Sequence, residues 1–167
     1  WGDGPGGSND SRFGRSKTAK SLQTLKVGSV NIKVLFPPHA KTHPGHGLAV
    51  IEDQLGGAQK TIDLALFVFS AQQLTNKLAE RLSAGVKLRL LADPGFASRS
   101  FSEVLDLLGV ALPDRFCKVE AGNQPLNQPL KGIGTPGLAR GDKLHHKFAV
   151  IDNKTVITGS FNWSPSA

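Results

Sequence analysis

Near the end of the chain, His145, Lys147, Asp152, Gly159, Ser160 and Asn162 recur at a spacing suited to phosphate chemistry, H-x-K-x4-D-x6-G-S-x-N. His145 supplies a ring nitrogen that can attack near neutral pH. Lys147 supplies a fixed cation, and Ser160 and Asn162 supply short donors for phosphate oxygens. Such a set is useful only if the backbone brings these side chains to one place.

The residues between them describe how that happens. Lys147–Asp152 reads as a strand, because Phe148, Val150 and Ile151 favour extended backbone. Thr155–Thr158 reads as its partner, with Asn153-Lys154 as a two-residue hairpin loop. That loop sets Asp152 opposite Thr155, Lys147 opposite Ser160 and His145 opposite Asn162. Alternation then places His145, Lys147, Ser160 and Asn162 on one face, with His146 and Asp152 on the other. A loop one residue longer or shorter moves His145 and Ser160 to opposite faces.

The motif resembles that of the phospholipase D superfamily, whose members cleave or transfer phosphodiesters through a phosphohistidine. The likeness extends upstream through Ile62–Ser70, Leu74–Leu82 and Gly85–Asp93, and is similar to the small single-motif nucleases of that superfamily. It covers Val30 to Ala167. The resemblance implies that His145 attacks phosphorus while Lys147, Ser160 and Asn162 hold the non-bridging oxygens as charge shifts onto them. It implies no metal and no cofactor. The leaving oxygen needs a proton from the far side. His146 faces away on a regular strand, and the full pattern does not recur, since His39-Ala40-Lys41 lacks the downstream Asp, Gly-Ser and Asn, so a two-fold dimer is expected to complete the site. Asp152 reads as support through a salt bridge. Gly159, Lys143 and Arg140 are candidate substrate-binding positions. The resemblance also implies a further strand bearing an acidic residue that orients the histidine; the sequence ends five residues after Asn162 without it.

Composition sets the outer bounds. The 167 residues suit one core, and the net charge of +7 favours polyanions, nucleic acid ahead of anionic lipid. Of the nucleic acids, DNA is expected ahead of RNA. No apolar run approaches the ~20 residues of a membrane span. The single Cys117 cannot form an internal disulfide, and the compartment stays open.

The flanking elements must position the motif. Residues 1–28 read as a flexible, basic, Gly-rich leader and 29–167 as the catalytic domain. A strand is expected over Val30–Phe36 and a helix through Leu48, Ile51, Leu55 and Ala58. Ile62–Phe69 follows as a buried strand. Ser70 should cap a helix with the stripe Leu74, Leu78, Leu82, ended by Gly85. Val86–Leu91 is the next strand. Phe101, Val104, Leu105 and Leu108 mark a third helix stopped by Gly109, and Arg115–Val119 a further strand. This alternation predicts an α/β fold, a mainly parallel or mixed sheet flanked by helices on both faces in three layers. Residues 122–142 carry the tandem Asn123-Gln124-Pro125-Leu126 and Asn127-Gln128-Pro129-Leu130, and read as a long Pro/Gly-rich loop, either a lid or partner contact over the pocket or a passive insertion.

Weaker signals compete. His39, His43 and His46 could gather a metal but lack a fourth ligand and a known spacing. Ser160 lacks a nucleophile-elbow context. Asp63 and Asp93 read as ion-pairing or capping residues. Three functions remain: a metal-independent endonuclease, a lipid-directed phospholipase D or phosphatidyl transferase, and a nucleic-acid-binding module that has lost catalysis.

Overall fold

The computed structural model describes residues 21–37, 39, 43, 46–112 and 123–166. The strand expected over Arg115–Val119 and residues 1–20 of the leader lie outside them. The chain divides into two units, residues 1–50 and 51–167.

The first unit contains a hairpin of β1 (Gln23–Val27) and β2 (Val30–Val34), turned at Gly28 with φ 60°. Leu25 faces Ile32 and Val27 faces Val30, while Thr24, Lys26, Asn31 and Lys33 form the opposite row. The sequence reading placed Gln23–Val27 in the leader; its alternation matches that of β2, which is why it pairs instead.

The second unit contains a sheet ordered β5-β4-β3-β6-β7. Strands β3 (Thr61–Leu66) and β4 (Lys87–Ala92) run parallel because α2 (Gln72–Ser83) crosses over between them. Strands β6 (Lys147–Ile151) and β7 (Thr155–Thr158) add as antiparallel neighbours of β3. One row is continuous core: Ile62, Leu64 and Leu66 lie level with Leu88, Leu90 and Ala92 on one side and Ile151 and Ala149 on the other, all buried. Leu74 and Leu78 of α2 are fully buried, as are Ile51 and Leu55 of α1 (Gly47–Gly56). A buried Leu of this kind contributes roughly 1.5–3 kcal/mol. The outer row of β4 is exposed, and there Arg89 pairs with Asp63 at 2.5 Å.

Several expected details differ. Ser70 does not cap α2. Its N–H is committed to the carbonyl of Trp163, and the helix begins one residue later, with Ala71 as N-cap. The third helix is two short pieces, α3 (Pro94–Ala97) and α4 (Glu103–Leu107), capped by Asp93 and Ser102. Phe101 falls in the turn between them and is 53% exposed, outside the core stripe assigned to it.

The segment 122–142 is not a free lid where it is described. Ile133–Gly134 forms β5 alongside Leu90 and Leu91 of β4. Gly132 must be glycine, since a Cβ there would lie 2.5 Å from the Leu88 carbonyl oxygen. The tandem repeat has a structural reason. Leu126 N–H donates to the Asp106 carbonyl and Leu130 N–H to that of Leu107, so successive copies meet successive carbonyls at the end of α4. The Asp106 carboxylate also accepts from Asn123 Nδ2 and, at 2.9 Å, from Gln124 N–H.

Glu103 is buried beside Asp106, and desolvation raises its carboxyl to about 7. A raised acid makes the folded state hold its proton longer, so stability is full below the usual carboxylate range and falls as pH rises to about 7. Glu103→Gln is therefore expected to stabilise the protein by about 2 kcal/mol at pH 8, with no gain near pH 4. Denaturant titrations at the two pH values check this; an equal gain at both would reject it.

Candidate functional site

His145 and Lys147 lie at the carboxyl ends of β3 and β4, the edge at which parallel strands commonly present ligand-binding groups, whereas Asp152 lies at the opposite edge, beside the start of β3. Lys147 opens β6 directly opposite Leu66, so it occupies the last place in the core row. It is 7% exposed, and burial lowers its ammonium from the ordinary lysine range. Its Nζ donates to the His145 carbonyl at 2.9 Å and lies 4.9 Å from the centre of the Phe67 ring.

His145 and His146 precede the strand. The His145 ring is exposed and rests against Phe67, with centroids 4.5 Å apart. The His146 carbonyl accepts from Phe67 N–H at 2.8 Å, and its ring packs on Phe148. His145 and Lys147 are thus brought together on Phe67, the residue that follows β3.

The hairpin register differs from the one read from sequence. Ile151, not Asp152, is opposite Thr155, and the ladder ends at Phe148 opposite Thr158. Asp152 and Asn153 both take φ 53°, which lengthens the loop to Asp152–Lys154. The shared-face alignment of His145 with Asn162 and of Lys147 with Ser160 therefore does not arise from strand pairing. After Thr158 the chain bends at Gly159 and Ser160 and joins another partner. Trp163 bridges to Phe69, donating to Val68 O at 3.2 Å and accepting from Ser70 N–H at 2.9 Å. Ser160 and Gly159 are exposed. Asn162 is half-buried, and its Oδ1 has no hydrogen-bond partner among the described residues.

Asp152 is a support, though by hydrogen bonds rather than the expected salt bridge. Its carboxylate accepts from the backbone N–H groups of Gln59, Lys60 and Thr61 at 2.8, 2.7 and 2.8 Å. Those bonds tie the hairpin turn to the start of β3 and hold the carboxyl below its usual range. This explains the positive φ, since leaving the strand is what points Asp152 at those donors.

Asp93 does a comparable job closer to His145. It is 1% exposed; Oδ1 accepts from Gly95 and Phe96 N–H, and Oδ2 accepts at 2.9 Å from Leu144 N–H, one residue before the histidine. Phe96 stacks edge-on against Phe67 at 4.5 Å. Sequence reasoning recognised the cap but missed that Asp93, Phe96 and Phe67 together seat His145. The available signal was a strand ending in Asp93-Pro94-Gly95. Lys143 and Arg140 are exposed, and Lys143 lies next to α3: a Cβ on Gly95 would be 3.7 Å from its Nζ.

Among the described residues, no group of three or more His, Cys, Asp or Glu side chains could hold a metal. His39 and His43 stack at 5.2 Å, and His46 Nδ1 accepts from Leu48 N–H.

Asp152→Asn tests the turn without adding backbone strain, since Asn tolerates positive φ. A depressed acid contributes stability above the usual Asp range and loses it as pH falls through the lowered value. The variant should melt below the parent at pH 7, with the gap closing in acid. Thermal melts across pH check it; a gap independent of pH would reject the carboxylate's role.

A family model described as "Cardiolipin synthase, PLD-like domain" matches residues 51–167. The mitochondrial cardiolipin hydrolase of Chlamydomonas reinhardtii is 26% identical over 126 residues, covering 75% of this chain and 47% of that protein. The phospholipase D of Rickettsia felis is 28% identical over 166 residues, covering 96% and 72%. Among solved structures, the phospholipase D family member Nuc from Salmonella typhimurium aligns with TM-score 0.53 at 18% identity, covering 75% of this chain and 70% of that one. NucT from Helicobacter pylori aligns with TM-score 0.55 at 20% identity, covering 72% and 69%. These two share the mixed sheet flanked by helices. The chain spans less than half the length of the cardiolipin hydrolases it matches. Among the described residues, no helix is long and apolar enough to cross a membrane.

Proposed function

The chain belongs to the phospholipase D superfamily, and on that premise we propose that it is a metal-independent phosphodiesterase acting on nucleic acid. The observation that carries this reading is the exposed His145 ring beside the buried Lys147 ammonium, both seated on Phe67. In the first step a His145 ring nitrogen bonds to phosphorus as the bond to the leaving oxygen breaks. Lys147, with Ser160 and Asn162, meets the non-bridging oxygens. In the second step water attacks phosphorus and the phosphorus–nitrogen bond breaks, restoring the imidazole. The proton for the leaving oxygen comes from His145 of a second copy related by a two-fold axis.

Nucleic acid is favoured over lipid by the net charge of +7 and pI near 9.8. Arg140 and Lys143 add exposed positive charge near the histidine. A lipid phosphodiester is the second reading, favoured by the names of the relatives, cardiolipin hydrolase and phospholipase D.

Plasmid, single-stranded DNA and phosphatidylcholine, each incubated with EDTA, separate the readings. Nucleic-acid cleavage that survives EDTA and disappears in His145→Ala is the expected result. Lipid turnover alone would establish the second reading. Salt-sensitive binding with no turnover would indicate a binding module. Loss of activity in EDTA would overturn the covalent-histidine step, and an active monomer in light scattering would overturn the shared site.

Lys147→Met should lower kcat by about 10²–10³-fold, as for loss of one oxyanion donor. Because burial lowers the ammonium, activity should also fall on the alkaline side at a pH below the ordinary lysine value of 10.5. A pH–rate profile checks this; an alkaline limb unchanged by the substitution would remove Lys147 from the reaction.

A further inference from the structure

A file of rings leads away from the nucleophile: His145 on Phe67 at 4.5 Å, Phe67 on Phe96 at 4.5 Å, and Phe96 on Phe101 at 6.4 Å. Burial decreases outward. Phe67 and Phe96 are half-buried, whereas Phe101 is 53% exposed even though it lies in the turn joining two core-packed helices. Two cations flank the file. Arg99 is exposed and its Nε donates to Gly95 O at 3.2 Å, which holds its side chain along α3. Lys143 Nζ lies close to the same glycine, 3.7 Å from where its Cβ would be. Asp142 is the exposed carboxylate adjoining Lys143, whereas the Asp93 carboxylate is buried and turned inward to three backbone N–H groups.

We propose that Phe101 and Phe96, with Arg99 and Lys143, form a subsite that stacks an unpaired nucleobase beside the scissile phosphate. The assignment rests on the nucleic-acid reading above and narrows it to substrate that is single-stranded at this position. An exposed ring with cations beside the same short helix suits a strand that offers both bases and phosphates, and every base offers a face to stack on. In a duplex those faces are covered by neighbouring bases, so only an unstacked nucleotide can use Phe101. Arg99 and Lys143 complement the phosphates on either side, and the file is continuous with the nucleophile. An anionic bilayer would also draw a ring set beside cations, but it offers no base to stack on, and the vesicle arm of the test separates the two.

The test uses the whole chain carrying His145→Ala, so that bound nucleic acid is not consumed. Its affinity is measured for a single-stranded oligonucleotide and for an abasic one of equal length and charge. Adding Phe101→Ala should weaken the intact oligonucleotide about tenfold and leave the abasic one unchanged. Phe101→Trp should restore binding. Arg99→Ala should weaken both alike and reduce the salt dependence. Equal losses on both oligonucleotides, or none, would overturn the subsite. So would a Phe101→Ala defect confined to binding of phosphatidylglycerol vesicles, which would assign the ring to a lipid surface. The two levels of the proposal fail differently. A wild-type protein that cuts no nucleic acid but turns over lipid ends both. One that cuts duplex and single strands equally, with Phe101→Ala unaffected, ends this inference alone.

Discussion

The site depends on placing an ammonium where the core row of the sheet ends. Ile151, Ala149 and Lys147 succeed one another along β6, and each faces an apolar residue of β3. A lysine in that row loses most of its water, and an isolated buried charge is costly. Two contacts offset the loss: the His145 carbonyl accepts from Nζ, and the Phe67 face lies beneath it. Both also constrain the neighbouring histidine. Satisfying the cation and seating His145 are therefore one structural event, and under the proposed function a phosphate oxygen arriving at Lys147 would supply an anionic partner.

The remaining architecture can be understood as fixing the two ends of this short segment. Asp152 pins the turn after β6 to the start of β3 through three backbone N–H groups. Asp93 pins Leu144, just before His145, to the end of β4. Both carboxylates bond backbone donors rather than side-chain cations. Such partners are set by the fold and have no rotamer freedom to lose on ordering. The segment between them, Leu144 to Asp152, is consequently held at both ends and paired along its middle.

Much of this was legible in the chain. Periodicity located β4, β6 and α2 to within a residue or two because each buries a regular apolar row, whereas the strand expected over Ile62–Phe69 stops at Leu66 and β7, mostly exposed, was found from the turn before it. The His145–Lys147 spacing drew attention to the pair that the fold sets against Phe67. What failed to show was anything decided by tertiary hydrogen bonding. Asn153-Lys154 looks like a two-residue turn, but nothing local reveals that Asp152 leaves the strand to meet residues 59–61, about ninety positions earlier. Ser70 looks like a cap, yet its N–H belongs to Trp163. Phe101 fits a helical stripe, yet Asp93 and Ser102 cap two separate short helices on either side of it. The Asn-Gln-Pro-Leu tandem resembles loose insertion and instead closes the end of α4.

The one-residue change of register also alters how the second half of the motif should be understood. Had the ladder continued, its pleat would have fixed Ser160 and Asn162 relative to Lys147. Instead β7 ends at Thr158, and the chain crosses to Phe69 through the buried Trp163. Their position is then governed by β3 and its extension, the same element that carries Phe67. His145, Lys147, Ser160 and Asn162 therefore refer to β3 and its extension, although they lie up to seventeen residues apart in sequence. Asn162 illustrates the consequence: its buried Oδ1 has no partner among the described residues, a costly state for a polar atom that the surrounding fold nevertheless maintains. A buried polar atom kept short of a hydrogen bond, in the segment that returns to Phe69, is the kind of unsatisfied group a bound substrate or water would complete.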